Sequence, residues 1–136
     1  MRFSDLHGLE EIKKQLTRSV STGKIAHAQL FAGRPGAPNL PMALAYANYL
    51  NCENPGEDDA CGECPSCLKN AKFIHPDLHF VFPVSGTKQI KSKEAISQKF
   101  LKEWRSFLTQ NAHGSLEQWA AAYGGENKKV NISKEE

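Results

Sequence analysis

Four cysteines with metal-ligand spacing are the clearest chemical signal in this sequence. They are Cys52, Cys61, Cys64 and Cys67, in the pattern C-x8-C-x2-C-x2-C. Structural zinc sites use four thiolate or imidazole ligands in a tetrahedron, and short C-x2–4-C steps often supply them. Four thiolates bound to one ion leave no position for a substrate or a water molecule. The spacing therefore predicts a structural zinc site without a catalytic role.

Other interpretations of the cysteines stay open on the sequence alone. The four residues could form disulfides or be unrelated buried thiols, but the first residues show no apolar secretion signal, and disulfides suit oxidising compartments. His75 or His79 could replace one thiol, although a single histidine near a predicted strand is more often a core or surface residue. Acidic residues near the cysteines would repel DNA phosphates, which argues against DNA binding by this loop: Glu53, Glu57, Asp58, Asp59 and Glu63.

A second motif, GRPGAPNLP at positions 33–41, stands between an apolar run and a helix-like run, which is the usual setting of a phosphate-binding loop. On the pattern G-x-x-x-x-G-K-[ST], Gly33 matches the first glycine, and Gly36 is a further glycine inside the loop. The second glycine of the pattern falls on Pro38, the lysine on Asn39 and the hydroxyl residue on Leu40. The sequence thus predicts a degenerate phosphate loop.

Each departure from that pattern removes a contact that ATP would need. Asn39 supplies no cation for the phosphates, and Leu40 supplies no hydroxyl for magnesium. Pro38 and Pro41 have no backbone N–H to donate to a phosphate oxygen. Charge-assisted hydrogen bonds contribute roughly 1.5–3 kcal/mol each, so we expect no useful ATP binding. The alternative is that the segment was never a phosphate loop and is a proline-rich turn before a helix.

Composition sets the broad class. The 136 residues suffice for one compact domain, and 40% hydrophobic with 24% charged residues is ordinary for a soluble globular protein. The net charge of +2 is too small to indicate nucleic acid binding by the whole molecule, and no apolar run is long enough to cross a membrane.

The hydrophobic pattern predicts helices and two short strands, as in an α/β fold. The predicted elements are an amphipathic helix from Ser4–Asp5 to Val20 ending at Gly23, a strand at Gln29–Ala32, a helix from about Leu40 with Asn39 as N-cap, a short helix at Leu68–Ile74, a strand at Leu78–Phe82, a helix at Lys93–Gln110, and a helix with a Ser115/Gln118 capping box ending at Gly124–Gly125. A further capping box, Ser133 with Glu136, predicts that residues 132–136 begin a helix.

Three segments together resemble the delta prime subunit of the bacterial DNA polymerase III clamp loader, a relative of the gamma/tau subunits within the AAA+ superfamily. They are Phe3–Gly8 (FSDLHG), Ile25–Gly33 (IAHAQLFAG), and the four cysteines followed by His75-Pro76-Asp77. The resemblance covers about residues 1–82. It is specific, because a zinc knuckle directly after the phosphate-loop helix is peculiar to these subunits.

The resemblance implies a non-hydrolysing structural subunit that helps to load sliding clamps onto primed DNA. It implies an incomplete P-loop AAA+ module over residues 1–82, with a zinc knuckle at 52–67. It further implies a bacterial cytoplasmic protein with no membrane contact, whose partners are the gamma/tau and delta subunits and which meets DNA only through the assembled complex. The chain itself would have no ATPase activity, although the holoenzyme is a DNA-directed DNA polymerase.

Residues 83–131 do not match the common form of that family and are predicted to be a mainly helical insertion. The Walker B strand, the sensor residues and the arginine motif would lie beyond Glu136, so the chain is expected to be a fragment that self-associates. Two other functions stay open: an active gamma/tau-type ATPase, and a zinc-containing nucleic-acid-binding module. The second depends on a basic run, for which a solvated helix face is the commoner explanation: Lys88, Lys91, Lys93, Lys99, Lys102 and Arg105.

Overall fold

A computed structural model describes residues 1–125 and 129–136. Within these residues the chain has five α-helices, three short 3-10 helices and no β-strand. It divides into two compact units, Met1–Leu78 and His79–Glu136. This division falls four residues before the predicted boundary at Phe82. No helix in the described residues is long and apolar enough to cross a membrane.

Unit 1 is built around one mostly buried helix. Its helices are α1 (Glu10–Ser21), α2 (Asn39–Asn51) and α3 (Pro65–Ala71), preceded by a 3-10 helix at Phe3–Asp5. The sequence of α2 is rich in alanine and leucine, which favour helices, and it is apolar on most sides. It packs against α1, α3 and the 3-10 helix. Its buried residues share one core with the N-terminus and three of the cysteines: Phe3, Leu6, Met42, Ala45, Tyr46, Tyr49, Cys52, Ala60, Cys64 and Cys67.

The two predicted strands are wrong. Neither Gln29–Ala32 nor Leu78–Phe82 forms a ladder, and the sole bridge in the described residues joins Val84 to Asn131 in antiparallel fashion. A strand exists only when a neighbour accepts its backbone hydrogen bonds, and short apolar runs do not reveal whether that neighbour is present. Leu30 is 90% exposed, so the first segment is not buried as a parallel strand would be.

The first helix begins later than predicted, at Glu10 instead of near Ser4. Gly8 and Leu9 both have positive φ angles, of 72° and 62°, and such residues cannot continue a right-handed helix. The buried side of α1 is also more polar than predicted. It buries Lys13, whose Nζ donates to the Leu6 carbonyl at 2.6 Å, whereas Ile12 is exposed. The predicted end is confirmed, since Gly23 has φ 67° directly after Thr22, the C-cap residue of the helix.

Three other helices have boundaries that differ from the prediction. The short helix predicted at Leu68–Ile74 is α3, at Pro65–Ala71. Asn39 is the first residue of α2 and Pro38 is its N-cap, with no side-chain capping bond, so the predicted cap is wrong by one position. The helix predicted from Lys93 begins at Leu101, after two 3-10 turns. The hydrophobic pattern could not distinguish 3-10 turns from α-helix, because both place residues i and i+3 on nearly the same side.

Unit 2 is an aromatic cluster held by α4 (Leu101–Asn111) and α5 (Leu116–Ala122). The Ser115/Gln118 capping box is confirmed, with the Ser115 amide donating to Gln118 Oε1 at 2.8 Å. Trp119 is 1% exposed and donates from Nε1 to the Pro83 carbonyl at 2.8 Å. Its ring contacts four other aromatic rings: Phe82, Trp104, Phe107 and Tyr123.

Glu136 is hydrogen-bonded to the rest of this unit. Residues 134–135, within the segment predicted to begin a helix, form a turn in which the Glu135 amide donates to Ser133 Oγ at 3.2 Å. Glu136 Oε1 accepts hydrogen bonds from the amide and the hydroxyl of Ser97, both at 2.8 Å. The Ser97 hydroxyl is also 3.1 Å from the Phe82 carbonyl, so it links the C-terminus to the aromatic cluster.

Candidate metal centre

The structure brings the four cysteines together as a possible metal-binding site. All four Sγ atoms lie within 4.8 Å of one another. Cys52 Sγ is 3.5 Å from Cys61 Sγ, and Cys61 Sγ is 3.9 Å from Cys67 Sγ. None of the four forms a disulfide. Neither His75 nor His79 belongs to the cluster, so the sulfur set is the one that the spacing predicted.

Three backbone amides point at sulfur atoms around this cluster. The amide of Cys61 donates to Cys52 Sγ at 3.3 Å, that of Cys64 to Cys61 Sγ at 3.4 Å, and that of Cys67 to Cys64 Sγ at 3.4 Å. Amide donors stabilise a thiolate, and the amides of Cys67 and Glu53 lower the pKa of Cys64 to about 6. Burial acts in the opposite direction and raises the pKa of Cys52 and Cys67. A bound dication would offset that burial, because it favours the thiolate form.

Two helix ends and one side chain hold the cysteines in place. Cys52 directly follows α2, and Cys64 caps α3, where Pro65 occupies the first helical position that suits proline. Asp59 fixes the loop between them by accepting amide hydrogen bonds from Phe3 at 3.0 Å and Ser4 at 2.9 Å. Burial raises the pKa of Asp59, but these bonds outweigh it and the pKa is lowered overall. The cysteine loop is therefore anchored to the N-terminus.

A hydrogen-bonded chain that the sequence did not predict runs beside the cluster. Ser66 Oγ donates to Glu53 Oε1 at 2.8 Å, and His75 Nε2 is 3.4 Å from Ser66 Oγ. The Asp77 amide donates to His75 Nδ1 at 3.2 Å, which leaves Nε2 as the protonated nitrogen. Glu53 follows Cys52 and Ser66 precedes Cys67. These hydrogen bonds therefore connect the backbones next to two of the cysteines. In the sequence, the only indication of this hydrogen-bonded chain was that Glu53 and Ser66 are each adjacent to a cysteine.

The same residues do not form a hydrolase triad, although serine, histidine and aspartate are adjacent. A general base must accept the serine proton, whereas here His75 Nε2 donates and the Ser66 proton goes to Glu53. The Asp77 carboxylate is 3.9 Å from His75 Nδ1, beyond hydrogen-bonding distance, and its side chain is 80% exposed. The arrangement is suited to positioning, not to nucleophilic attack.

Replacing His75 with alanine is expected to weaken metal retention. The variant removes the buried imidazole and its hydrogen bond to Ser66, so the backbone beside Cys67 is held less firmly. Groups that orient metal ligands typically contribute about 10–100-fold to metal affinity, and we expect the lower end of that range because His75 touches no sulfur. A competition titration with a chromogenic chelator measures the affinity.

His79→Ala is the matched control, because His79 is exposed and lies outside the cluster. It should release metal as the unmodified chain does. Equal metal affinity in the His75→Ala variant and the unmodified chain would contradict a positioning role. Equal weakening by both substitutions would show that the effect is not specific to the hydrogen-bonded chain.

Two amides of the loop at 33–41 are engaged within the loop and are not available to a phosphate group. The Ala37 amide donates to the Arg34 carbonyl at 2.9 Å, and the Asn39 amide donates to the Ala37 carbonyl at 2.9 Å. Gly36 has φ 86°, which a tight turn at this point requires. A Cβ atom on Gly33 would stand 2.5 Å from Asn39 Oδ1, so the Asn39 side chain lies directly over the first glycine.

A cavity of about 270 Å³ adjoins this loop. Its lining is mostly apolar and includes no charged side chain in the described residues: Leu9, Ile12, Phe31, Ala32, Gly33, Ala37, Pro38, Asn39 and Met42. Sites for drug-sized ligands usually occupy ~300–1,000 Å³. The cavity is thus small, and it offers no cation to a phosphate group.

Comparison with known proteins identifies the family. The family model described as "DNA polymerase III, delta subunit" matches residues 8–116, which is most of the chain. The chain therefore belongs to this family of DNA polymerase III subunits. The match continues past Phe82, where the resemblance noted from the sequence ended, through α4 to the start of α5.

Individual relatives agree with the family but differ in subunit type. The chain is 38% identical over 66 residues to DNA polymerase III subunit tau of Bacillus subtilis, covering 48% of this chain and 12% of that protein. It is 34% identical over 88 residues to subunit tau of Escherichia coli, covering 63% and 13%. It is 31% identical over 91 residues to subunit delta' of Bacillus subtilis, covering 67% and 27%. The chain thus spans a small part of these relatives. No solved structure matches it.

Proposed function

We propose that this member of the family is the N-terminal part of a delta-prime-type subunit of the DNA polymerase III clamp loader. In this proposal it is a structural subunit that does not hydrolyse ATP. It would assemble with gamma/tau and delta subunits to load sliding clamps and would meet DNA through the assembled complex. The similarity to tau, gamma and delta' subunits supports the complex as its place of action.

The proposed cofactor is one structural zinc ion held by Cys52, Cys61, Cys64 and Cys67. Zn–S bonds of ~2.3 Å in a tetrahedron place the sulfur atoms ~3.8 Å apart. The S···S distances of 3.5 Å for Cys52 and Cys61 and 3.9 Å for Cys61 and Cys67 are close to that spacing, and all four sulfur atoms lie within 4.8 Å of one another. An all-sulfur set suits zinc among the common divalent ions, and four sulfurs leave no open position for catalysis.

The observation that carries the non-hydrolysing assignment is the position of Asn39. It occupies the lysine position of the phosphate-loop pattern, and its side chain lies over Gly33. A neutral amide there supplies no charge to the phosphates and takes up space within the loop. The prolines at 35, 38 and 41 remove three amide donors from the same segment.

A gamma/tau-type ATPase is the second candidate. The identity to the tau subunits, 38% and 34%, exceeds the 31% identity to delta' and favours it. Identity over so short a stretch mostly reflects the shared fold. An ATPase needs the lysine of the phosphate-loop pattern, and position 39 has asparagine instead. Asn39 therefore supports the delta prime type.

Mg-ATP is expected not to bind at residues 33–41 at sub-millimolar concentrations. Three missing phosphate or magnesium contacts at roughly 1.5–3 kcal/mol each would weaken binding by at least three orders of magnitude. Isothermal titration calorimetry of the zinc-loaded chain with Mg-ATP should show no saturable heat. Titration with Mg-ADP under the same conditions tests whether a diphosphate behaves in the same way.

A micromolar dissociation constant would contradict the proposal, provided that it depends on this loop. The Gly36→Ala variant makes that distinction, because the positive φ at Gly36 is required for the turn and alanine strains it. ATP binding that Gly36→Ala abolishes would favour the gamma/tau-type ATPase. Binding that survives would place ATP elsewhere on the chain.

A further inference from the structure

Positive charge is concentrated in one short part of unit 2. Residues 88–105 carry six basic and two acidic side chains, a net charge of +4, whereas the whole chain has a net charge of +2. The remainder of the protein is therefore net acidic. A segment that exceeds the charge of the whole molecule creates a local positive potential that the overall composition hides.

Three of these cations lie on one closed loop, residues 86–94, named here the lysine loop. Lys88, Lys91 and Lys93 are all exposed. Glu94 is 3.7 Å from Lys99, so the acidic residue of the loop already has a cationic partner outside it. No ion pair of the three loop lysines is present among the described residues.

Internal hydrogen bonds close the lysine loop. Thr87 Oγ1 accepts from the amides of Gln89 and Ile90, both at 3.2 Å, and the Thr87 amide donates to the Ile90 carbonyl at 2.9 Å. The base is tight, because a Cβ atom on Gly86 would stand 2.7 Å from the Ser92 amide nitrogen. A loop that is already ordered loses little conformational entropy when its lysines bind a partner.

Buried residues anchor both ends of the lysine loop. Val84 and Ser85 precede it and Ala95 follows it, and all three are buried. Ser85 is held by Tyr123, whose hydroxyl oxygen accepts from the Ser85 amide at 2.9 Å. The loop therefore projects its lysines from a fixed support in the aromatic cluster.

The chemistry of the lysine loop suits phosphates better than a protein surface. Protein interfaces are enriched in aromatic residues and arginine at their centres and depleted in lysine. No large exposed hydrophobic side chain of the described residues lies between Val81 and Leu116. Lysines without an apolar centre are typical of non-specific contacts to a nucleic acid backbone, where the released counterions drive binding.

We propose that Lys88, Lys91 and Lys93 form a contact site for the phosphate backbone of DNA, independent of base sequence. The site belongs to this chain itself, so it adds a direct DNA contact to a subunit whose proposed function places it at DNA only through its partners. The choice of DNA as the polyanion rests on that proposed function. The concentration of positive charge and the closed loop do not depend on the proposed function.

Fluorescence anisotropy with a fluorescein-labelled DNA duplex tests the site on the 136-residue chain loaded with zinc. Each phosphate contact contributes about −0.9 to the slope of log K against log salt, so three contacts reduce affinity about 40-fold between 50 and 200 mM salt. The K88Q/K91Q/K93Q variant should lose most of that salt dependence. A second duplex of unrelated sequence should bind equally well.

The K24Q/K69Q/K72Q variant is the matched control, since it removes three exposed lysines from unit 1 and leaves the lysine loop intact. It should keep the salt dependence of the unmodified chain. An equal loss of the salt dependence of DNA binding in the two triple variants would overturn the proposal, because that loss would reflect net charge alone. Competition by polyglutamate as effective as that by DNA would also overturn it, by showing a general cationic surface. Binding of Mg-ATP would refute the proposed function and leave these results unaffected.

Discussion

Removal of the proposed zinc ion is expected to unfold the cysteine loop and to destabilise unit 1 severely. Structural zinc contributes about 10–16 kcal/mol of apparent binding free energy in small zinc-dependent peptides, and domain stabilities are only about 5–15 kcal/mol. Cys52, Cys64 and Cys67 belong to the core of unit 1, so losing the metal removes the bonds that would hold the cysteine loop to that core. Metal analysis should give close to one zinc per chain, and chelation should lower the far-UV helical signal of unit 1.

The Cys61→Ser variant tests the same point without a chelator, because it removes one ligand and keeps a similar volume. It should lose zinc and fall well below the unmodified chain in thermal stability. Glu63→Gln is the matched control, since Glu63 is exposed between two of the cysteines. Recovery of disulfide-linked peptides without metal from protein prepared under reducing conditions would refute the zinc site.

The cysteine cluster was predictable because its signal is local. Three of the four cysteines lie within seven consecutive residues, from Cys61 to Cys67, and a chain of that length can close only a few geometries. The contributions of Asp59 and His75 were not predictable in the same way. Asp59 binds amides at Phe3 and Ser4, more than fifty positions away, and nothing in the sequence pattern marks such a pair.

The fold was predictable where the local structure depends only on a few neighbouring residues. The capping box at Ser115 and the left-handed glycines at Gly23 and Gly124 follow from local backbone chemistry, and the structure has all three. The strands at Gln29–Ala32 and Leu78–Phe82 failed because a strand depends on a partner, and the described residues provide none. A short apolar run indicates that a segment is buried or associates with another segment. It does not show which secondary-structure element the segment forms.

The two units can be followed separately by experiment. Both tryptophans, Trp104 and Trp119, lie in unit 2, whereas all four cysteines lie in unit 1. Tryptophan fluorescence therefore reports on the aromatic cluster, and metal content reports on the cysteine site. Measuring tryptophan fluorescence and metal content on the same variant therefore shows whether a substitution acts on one unit or on the whole chain.

Replacing Trp119 with alanine is expected to unfold unit 2. The indole is 1% exposed, and its centroid lies 4.9 Å from that of Trp104 and 4.6 Å from that of Tyr123. Removing a buried tryptophan costs about 3–5 kcal/mol, and a unit of this size has roughly 3–9 kcal/mol of stability in total. The fluorescence of Trp104 in a urea titration should then show little or no cooperative transition.

Two variants separate the causes of that loss. Trp119→Phe keeps an aromatic ring but removes the hydrogen bond to the Pro83 carbonyl, so it should cost less than the alanine variant. Leu116→Ala changes the same helix at a residue that is 50% exposed, and its transition should stay near that of the unmodified chain. The Trp119→Ala chain should retain zinc, because the cysteines lie in unit 1. An unchanged urea midpoint in Trp119→Ala would mean that the aromatic cluster does not hold unit 2 together.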